Sequence, residues 1–368
     1  MHTNRPLNLK PTRRNMAVIH CFGAGLVGSY VAKTLAIRGH EVHVHDLNPN
    51  NRELVGLQNI TLHEGNALDI NFSDYDNIDI VINMLPGDIG HALTTILVEE
   101  SAFPSVDLSF SEYTPDDQDE HAKDWGGRVL WDVGIAPGLS NMLLAEAYRV
   151  LGPLKNAEVR VGGNPTGPTG KWNYMAPFSP KDVIAEYTRP ARVIRDGEEV
   201  VLPAISERHM IQVPERGEME AFLTDGLRSV LNSIPVVDMS EYTVRWPGHI
   251  QKYIDERDAG ALNEEELLLE WWFDTKIPEF TWMEVTATDH NGNNMRWEVS
   301  DYGGDDGSSM ARTTGLVTVG CVEAWLEDPS MLPPGVHAPE KLPSSVVKRI
   351  IETMKENRVK IIGPEITI

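Results

Sequence analysis

Short apolar segments alternate with helical patterns over roughly the first third of the chain. Residues 17–22 form an apolar run that predicts a buried strand, and the apolar positions after it recur at helical spacing up to Gly39. A second helix is predicted over about 88–100, and further strands are predicted at residues 41–45, 60–62, 79–83, 105–109 and 128–132. Strands that alternate with helices indicate an α/β fold, with a doubly wound parallel sheet covered on both faces.

The pattern changes after Gly138. A helix is predicted over 139–151, and the Gly/Pro-rich stretch 162–170 predicts a loop. Residues 281–288 and 294–300 alternate between apolar and polar side chains around an Asn-Gly pair, which is typical of a β-hairpin. We therefore expect an inserted α+β domain built on a mostly antiparallel sheet, followed by two late helices over 310–326 and 343–357.

The most informative motif is a glycine pattern directly after the first predicted strand. Gly23, Gly25 and Gly28 form G-x-G-x-x-G at the start of a helix, and Asp46 ends the next strand 18 residues later. Gly23 permits a tight turn, Gly25 lets the backbone approach a pyrophosphate, and Gly28 lets the helix pack closely on the strand. The first domain is therefore predicted to be a Rossmann-type dinucleotide-binding unit.

Asp46 indicates which dinucleotide is bound. A carboxylate at the end of the second strand hydrogen-bonds the ribose 2′-hydroxyl and repels a 2′-phosphate. No arginine follows it directly, and Arg52 is the nearest one. NAD is therefore expected rather than NADP.

Composition and charge narrow the partners. The formal net charge of −23 argues against nucleic acid or an anionic membrane surface as the main partner. The two cysteines, Cys21 and Cys321, cannot build a secreted disulfide framework, so a cytoplasmic protein is expected. No apolar run is long enough to span a bilayer, and residues 1–15 are expected to be a flexible basic tail.

Three histidines, His40, His43 and His45, lie close together near the second strand. No cysteine or carboxylate set from this segment completes a metal site, so no metal is expected there.

Residues 107–110 and 132–141 lie at the ends of predicted strands of the first domain and resemble two motifs of the saccharopine dehydrogenase superfamily. Further segments, in the middle and at the end of the chain, resemble more specifically its lysine 6-dehydrogenase branch. These segments are 186–197, 220–227, 242–249, 311–315 and 335–340.

The resemblance implies how the chain is organised and what it does. Residues 16–137 and 311–368 would form the NAD-binding domain, and residues 138–310 a substrate-binding domain that also forms a homodimer. The implied reaction is oxidation of L-lysine at its ε-carbon by NAD, which yields ammonia and a semialdehyde that cyclises.

This reaction needs a base and a cation, because the ε-ammonium must lose a proton and the α-carboxylate must be held. Asp132, at a strand end, and Asp225 are the candidate bases, and Arg245 is the candidate anchor, unless it forms an interdomain ion pair instead. The superfamily resemblance implies that Ser109, Phe110 and Thr243 also contact the substrate. The residues expected to bind NAD are Gly23, Ala24, Gly25, Leu26, Val27, Gly28, Asp46, Asn66, Ala67, Asn83, Met84, Leu85 and Pro86.

Two alternatives remain open at this stage. One is a saccharopine-type reductase or dehydrogenase that acts on another amine or imine. The other is a non-catalytic, regulatory protein that binds NAD without turning it over.

Overall fold

A computed structural model of the protein describes residues 16–368, so the predicted tail over residues 1–15 lies outside the described residues. The first part of the chain alternates strands and helices as the hydrophobic pattern predicts. Its elements are β1 (Val18–Phe22), α1 (Leu26–Ile37), β2 (Glu41–Asp46), β3 (Ile60–Glu64), β4 (Ile80–Asn83), α2 (Gly87–Glu100), β5 (Pro104–Asp107), α3 (Asp119–Trp125) and β6 (Arg128–Leu130).

The rest of the chain is richer in long strands. Its elements are α4 (Leu139–Leu151), β7 (Leu154–Pro165), α5 (Pro180–Thr188), β8 (Ala191–Arg195), β9 (Glu198–Leu202), β10 (His209–Val213), β11 (Gly217–Leu223), α6 (Val230–Ser233), β12 (Val236–Arg245), α7 (His249–Asp258), α8 (Glu264–Glu270), β13 (Glu279–Asp289), β14 (Asn294–Asp301), α9 (Ser309–Glu327), β15 (Gly335–His337), α10 (Ser344–Glu356) and β16 (Lys360–Ile362).

Two sheets organise these elements. The first has seven strands in the order β15-β6-β5-β4-β1-β2-β3, and all of its pairings are parallel. The second has nine strands, with the path β10-β11-β12-β7-β13-β14-β16 and the pair β8–β9 attached to β12. All of its pairings are antiparallel except β12 with β7. The predicted fold class, an α/β parallel sheet joined to a mostly antiparallel one, is confirmed.

The end of the chain contributes to both sheets. Strand β15 pairs with β6 in the parallel sheet, whereas β16 pairs with β14 in the second sheet. One buried apolar cluster runs through both sheets, and helices α4 and α9 contribute to it. The proposed division at residues 137/138 and 310/311 stays a prediction.

The predicted hairpin is confirmed, whereas the predicted loop over residues 162–170 is wrong in its first half. Strand β7 continues through Gly162 and Gly163 to Pro165, because β13 pairs with it along this whole stretch. A Cβ atom on Gly162 would lie 2.3 Å from the backbone oxygen of Val244. The glycine therefore allows close approach of β12 here, and does not mark a turn.

The parallel sheet carries a stack of histidines that the sequence did not suggest as a unit. Parallel register places His20 beside His43, and His45 beside His63. The nitrogens His20 Nδ1 and His45 Nε2 lie 3.0 Å apart, and His43 Nδ1 and His63 Nε2 lie 2.9 Å apart. Burial, together with the neighbouring histidines, lowers the pKa of His20 and of His45 to about 3. Both side chains therefore stay neutral at ordinary pH.

This stack makes stability depend on pH. An unfolded histidine titrates near 6.5, so between about pH 6.5 and pH 3 the unfolded chain binds more protons than the folded one, and stability falls as the pH falls. At pH 5 the loss is about 2 kcal/mol for each buried histidine. The double variant His20→Phe/His45→Phe should therefore show a smaller drop in melting temperature between pH 7 and pH 5. The same change at exposed His121 should leave the drop unchanged, and an equal drop in all three proteins would contradict this account.

Candidate active site

A cavity of about 650 Å³ lies where the two sheets meet. One wall is the carboxyl edge of the parallel sheet, where the glycine loop and residues 84–86 follow β1 and β4. The opposite wall is formed by β7, β12, α5 and the segment around Trp272 and Phe273. Ligands of open α/β sheets lie in this crevice beyond the strand ends, beside the strand at which the chain order reverses.

The glycine loop has the geometry of a phosphate site. Gly23 adopts φ +102°, and a Cβ atom on Gly28 would lie 2.1 Å from the Gly23 backbone oxygen. Gly25 differs, because a Cβ atom there would contact nothing within 4 Å. It caps α1, whose first turn has no acidic residue and no side-chain cap. The amino end of α1 is therefore open toward an anion.

Asp46 lies at the edge of the same cavity. Its Oδ2 accepts a hydrogen bond from the backbone N–H of Ala24 at 2.7 Å, and its Oδ1 accepts one from the N–H of Asn48 at 2.8 Å. These bonds fix the carboxylate beside the glycine loop and leave each oxygen with a further lone pair. Residues 23–28, Asp46 and residues 84–86 thus gather at one wall and fit a dinucleotide.

Three residues expected to bind the cofactor do not line this cavity. Asn66 and Ala67 line a separate cavity beside His45 and His63. Asn83 is buried, and its amide donates to the backbone oxygen of Gly90 at 2.7 Å and to Thr94 at 3.0 Å. In this arrangement Asn83 orders the loop after β4.

Asp132 lines the cavity, but an arginine holds its carboxylate. Arg228 donates to both carboxylate oxygens, at 2.8 Å from Nε and 3.2 Å from Nη2. Both side chains are almost completely buried, and both residues have positive φ angles, of 55° and 56°. Arg228 also donates to the backbone oxygen of Ser111. The pair therefore joins the strand-end loops of the parallel sheet to the segment after β11.

Asp225 lies outside the cavity lining and is also paired. Arg192 donates to Oδ1 at 2.9 Å and to Oδ2 at 2.8 Å, and its backbone N–H donates to Oδ1 at 3.0 Å. Both oxygens of this carboxylate therefore already accept hydrogen bonds from a guanidinium. Neither predicted base therefore presents a free carboxylate.

Arg245 lines the cavity and is held by tyrosines. Its Nε donates to the hydroxyl of Tyr187 at 2.9 Å, and its Nη2 donates to that of Tyr174 at 3.2 Å. The Tyr187 hydroxyl lies 3.0 Å from His249 Nε2. Arg245 has five N–H groups and the protein accepts from three of its nitrogens once each, so donors remain for a ligand.

Sequence reasoning missed two carboxylates of the cavity, Asp182 and Glu186. They lie four residues apart on α5 and therefore share one helix face. Burial raises the pKa of Glu186 to about 7, against the opposing effect of Arg245, and raises that of Asp182 to about 6. Glu186 Oε2 lies 3.9 Å from Arg245 Nη2. Their only sequence signal was that Glu186 begins one of the segments that carry the family resemblance.

Of the three remaining residues predicted to contact the substrate, two line the cavity and one does not. Phe110 and Thr243 line the cavity. Ser109 is buried behind it, and its backbone N–H donates to Asp107 Oδ1 at 2.8 Å. Asp107 also accepts from Thr94 at 2.9 Å, so this carboxylate ties down the loop after β5.

Within residues 16–368, no group of three or more His, Cys, Asp and Glu side chains is arranged to hold a metal ion. In the same part of the chain, no helix combines the length and apolar character needed to cross a bilayer.

The larger part of the chain matches a known family. Residues 134–359, which include β12, α5 and Arg228, match the family of the saccharopine dehydrogenase C-terminal domain. The chain belongs to the saccharopine dehydrogenase family. Together with the dinucleotide fold, this makes it an oxidoreductase of the nicotinamide-dependent kind.

Two solved structures share the fold of this saccharopine dehydrogenase family member over 95% of the chain. The apo saccharopine dehydrogenase (L-Glu forming) from Saccharomyces cerevisiae has a TM-score of 0.70 and 15% identity, over 95% of this chain and 100% of that one. The homospermidine synthase of Legionella pneumophila, solved in complex with NAD, has a TM-score of 0.67 and 12% identity, over 95% of this chain and 92% of that one.

Gly25 allows a direct test of the dinucleotide site. The variant Gly25→Ala should fold normally, because its Cβ atom meets no other atom and its φ of −69° suits alanine. It should nevertheless bind NADH at least about tenfold more weakly, since the methyl group enters the space of the pyrophosphate. Calorimetry would measure the affinity, and the melting temperature without ligand would report folding.

Gly167→Ala is the matched control, because a Cβ atom there also meets nothing and the residue lies outside the cavity lining. Unchanged NADH affinity in Gly25→Ala would mean that the phosphates bind elsewhere.

Proposed function

We propose that the protein is an NAD-dependent dehydrogenase that oxidises the ε-amine of L-lysine, releasing ammonia and the semialdehyde. The observation that carries this proposal is the charge pattern of the cavity. Apart from the cofactor carboxylate Asp46 and the paired Asp132, the charged residues that line it are Asp182, Glu186 and Arg245. Two carboxylates and one guanidinium complement a substrate that carries two ammonium groups and one carboxylate.

The preference for NAD rests on Asp46. Its carboxylate is fixed beside the glycine loop, where it would accept from a ribose hydroxyl and repel a 2′-phosphate. Among the described residues that line the cavity, Arg245 is the one cation, and it lies on the opposite wall. Nothing in that lining therefore favours NADP.

Arg245 and Glu186 together suit the head group of an α-amino acid. The guanidinium would bind the α-carboxylate through two parallel N–H bonds. Glu186, 3.9 Å away, would accept from the neighbouring α-ammonium. Because Arg245 is buried and is held by two tyrosine hydroxyls, this pair would fix the head group in one position.

The spacing along β12 then indicates where the reacting amine lies. Thr243 and Arg245 are two residues apart on one strand, so their side chains point to the same face of the sheet and their Cβ atoms lie about 7 Å apart. An extended lysine side chain has five single bonds of about 1.5 Å between Cα and Nζ, which span about 6 Å. An amino acid held at Arg245 would therefore bring its terminal amine close to the Thr243 hydroxyl.

The chemistry follows from these positions. A bound nicotinamide supplies the hydride acceptor. The protein must orient the ε-carbon toward it and remove one proton from the ε-ammonium, whose ordinary pKa is about 10.4. Loss of the hydride then leaves an iminium carbon, and water adds there to release ammonia.

A saccharopine-type substrate fits the cavity less well. Such a substrate carries an additional dicarboxylate arm and would need further cations. Arg228 and Arg192 are already held by Asp132 and Asp225, so neither offers a free guanidinium fork.

NADH absorbance tests the proposal directly. With NAD at alkaline pH, lysine should give NADH, whereas saccharopine and 1,5-diaminopentane should give at least about tenfold less. The cavity offers no free cation for the extra arm of saccharopine, and 1,5-diaminopentane has no carboxylate for Arg245 to bind. Turnover with saccharopine alone would favour the reductase alternative. Stabilisation by NAD without turnover of any amine would favour a regulatory protein.

The variant Arg245→Lys tests whether Arg245 binds the α-carboxylate of the substrate rather than taking part in the chemical step. Its KM for lysine should rise about 10- to 100-fold, the usual effect of losing a charged hydrogen bond. The residual rate with 1,5-diaminopentane, which has no carboxylate, should change much less. An equal loss with both amines would place the carboxylate elsewhere.

A further inference from the structure

A buried carboxylate that the proposed reaction leaves unused lies two residues before Thr243 on β12. Glu241 is 4% exposed, and it shares a strand face with Thr243 and Arg245. Its Oε2 accepts from the Thr224 hydroxyl at 2.5 Å and from the backbone N–H of Gly226 at 3.2 Å.

A hydroxyl chain joins this carboxylate to the cavity. The hydroxyl oxygens of Thr224 and Thr243 are 2.8 Å apart, and Thr243 lines the cavity whereas Thr224 and Glu241 lie outside its lining. Since Thr224 donates to Glu241, it accepts from Thr243, and the Thr243 oxygen is left to accept from a ligand. Both threonines are buried.

On the basis of the proposed function, we propose that Thr243 and Thr224 relay the proton of the substrate ammonium to Glu241, which is the proton acceptor of the reaction. In the forward step the ammonium gives a proton to the Thr243 oxygen, Thr243 gives its own to Thr224, and Thr224 gives its own to Glu241 Oε2. The amine becomes neutral, Glu241 becomes a carboxylic acid, and both hydroxyls are restored.

The overall reaction releases one net proton, which matches the single proton that Glu241 takes up. Oxidation of R–CH₂–NH₃⁺ by NAD⁺ and water gives R–CHO, NH₄⁺, NADH and one H⁺. Glu241 would hold that single net proton and return it along the same hydroxyls as the products leave.

The other carboxylates are less suited to this role. Asp132 and Asp225 are each held by a guanidinium fork, and Glu186 lies beside Arg245, at the head-group end. Asp182 lies one turn from Glu186 on α5, whereas the hydroxyl chain from the cavity leads to Glu241. Among residues 16–368 no cation bonds Glu241, and its two hydrogen bonds come from neutral donors.

The surroundings of Glu241 suit a proton acceptor. Burial and, to a smaller extent, the nearby charges of Glu186 and Asp225 raise its pKa to about 8, against the opposing bond from Thr224. On the neighbouring strand β7, the residues in register on this face are Val159 and Val161, which are apolar. The charged side chains around this face of β12 come from several elements. They are Arg192 on β8, Glu220 on β11, Asp225 after β11, Glu186 on α5 and Arg245 on β12 itself.

The pH profile of lysine oxidation tests the relay. At pH 8, Thr224→Val and Glu241→Gln should lower kcat/KM about 100-fold or more, the usual contribution of a general base. Their activity should recover as the pH approaches the pKa of the substrate amine, about 10.4, because the amine then arrives neutral. Thr224→Ser keeps the hydroxyl and should retain most of the activity with the wild-type profile.

Thr286→Val on β13 is the matched control and should behave as wild type, since this residue lies outside the cavity lining. The relay is wrong if Thr224→Val and Glu241→Gln keep full activity at pH 8, or if they lose the same factor at every pH. If Glu241→Gln does not fold, the Thr224→Val and Thr224→Ser pair decides. Failure of the wild-type protein to oxidise lysine would instead count against the proposed function.

Discussion

Strand β12 carries three polar side chains on a buried face, and the site depends on how each of them is satisfied. A buried polar group without a partner costs free energy, so each must be bonded within the protein or to a ligand. Arg245 is bonded by tyrosine hydroxyls, and Glu241 accepts from Thr224 and Gly226. Thr243, between them, is bonded on one side and faces the cavity on the other. Strand geometry thus places a cation, a hydroxyl and a carboxyl at regular intervals along one wall.

Two ion pairs, each with a buried carboxylate, set the charge of the rest of the site. Arg228 neutralises Asp132 at the carboxyl edge of the parallel sheet, and Arg192 neutralises Asp225 beside β8. Removing one partner of such a pair leaves an uncompensated buried charge, so these arginines are structural rather than available to substrate. What remains in the cavity is an excess of carboxylate, which favours a cationic substrate.

Local signals located the glycine-loop wall of the cavity, and much less of the opposite wall. The glycine loop and Asp46 form a short-range pattern in which each glycine has a steric reason, so sequence alone located them. The pairing of Asp132 with Arg228 joins residues 96 positions apart, and no local pattern reveals it. Asp182 and Glu186 belong to a short helix whose carboxylates look like ordinary surface charges until β12 is placed beside them. The histidine stack likewise depends on strand register. The predicted loop at Gly162 is wrong because local sequence does not show which strands pair with β7.

Under the proposed function, Arg245 and Thr243 define a fixed distance between the head group of the substrate and its reacting amine. A series of α,ω-diamino acids with two to five side-chain methylenes, assayed with NAD, measures this most directly. The account predicts a maximum of kcat/KM at lysine, with ornithine and homolysine each at least about tenfold lower, the usual effect of one methylene. Equal values across the series, or a maximum at another length, would contradict it.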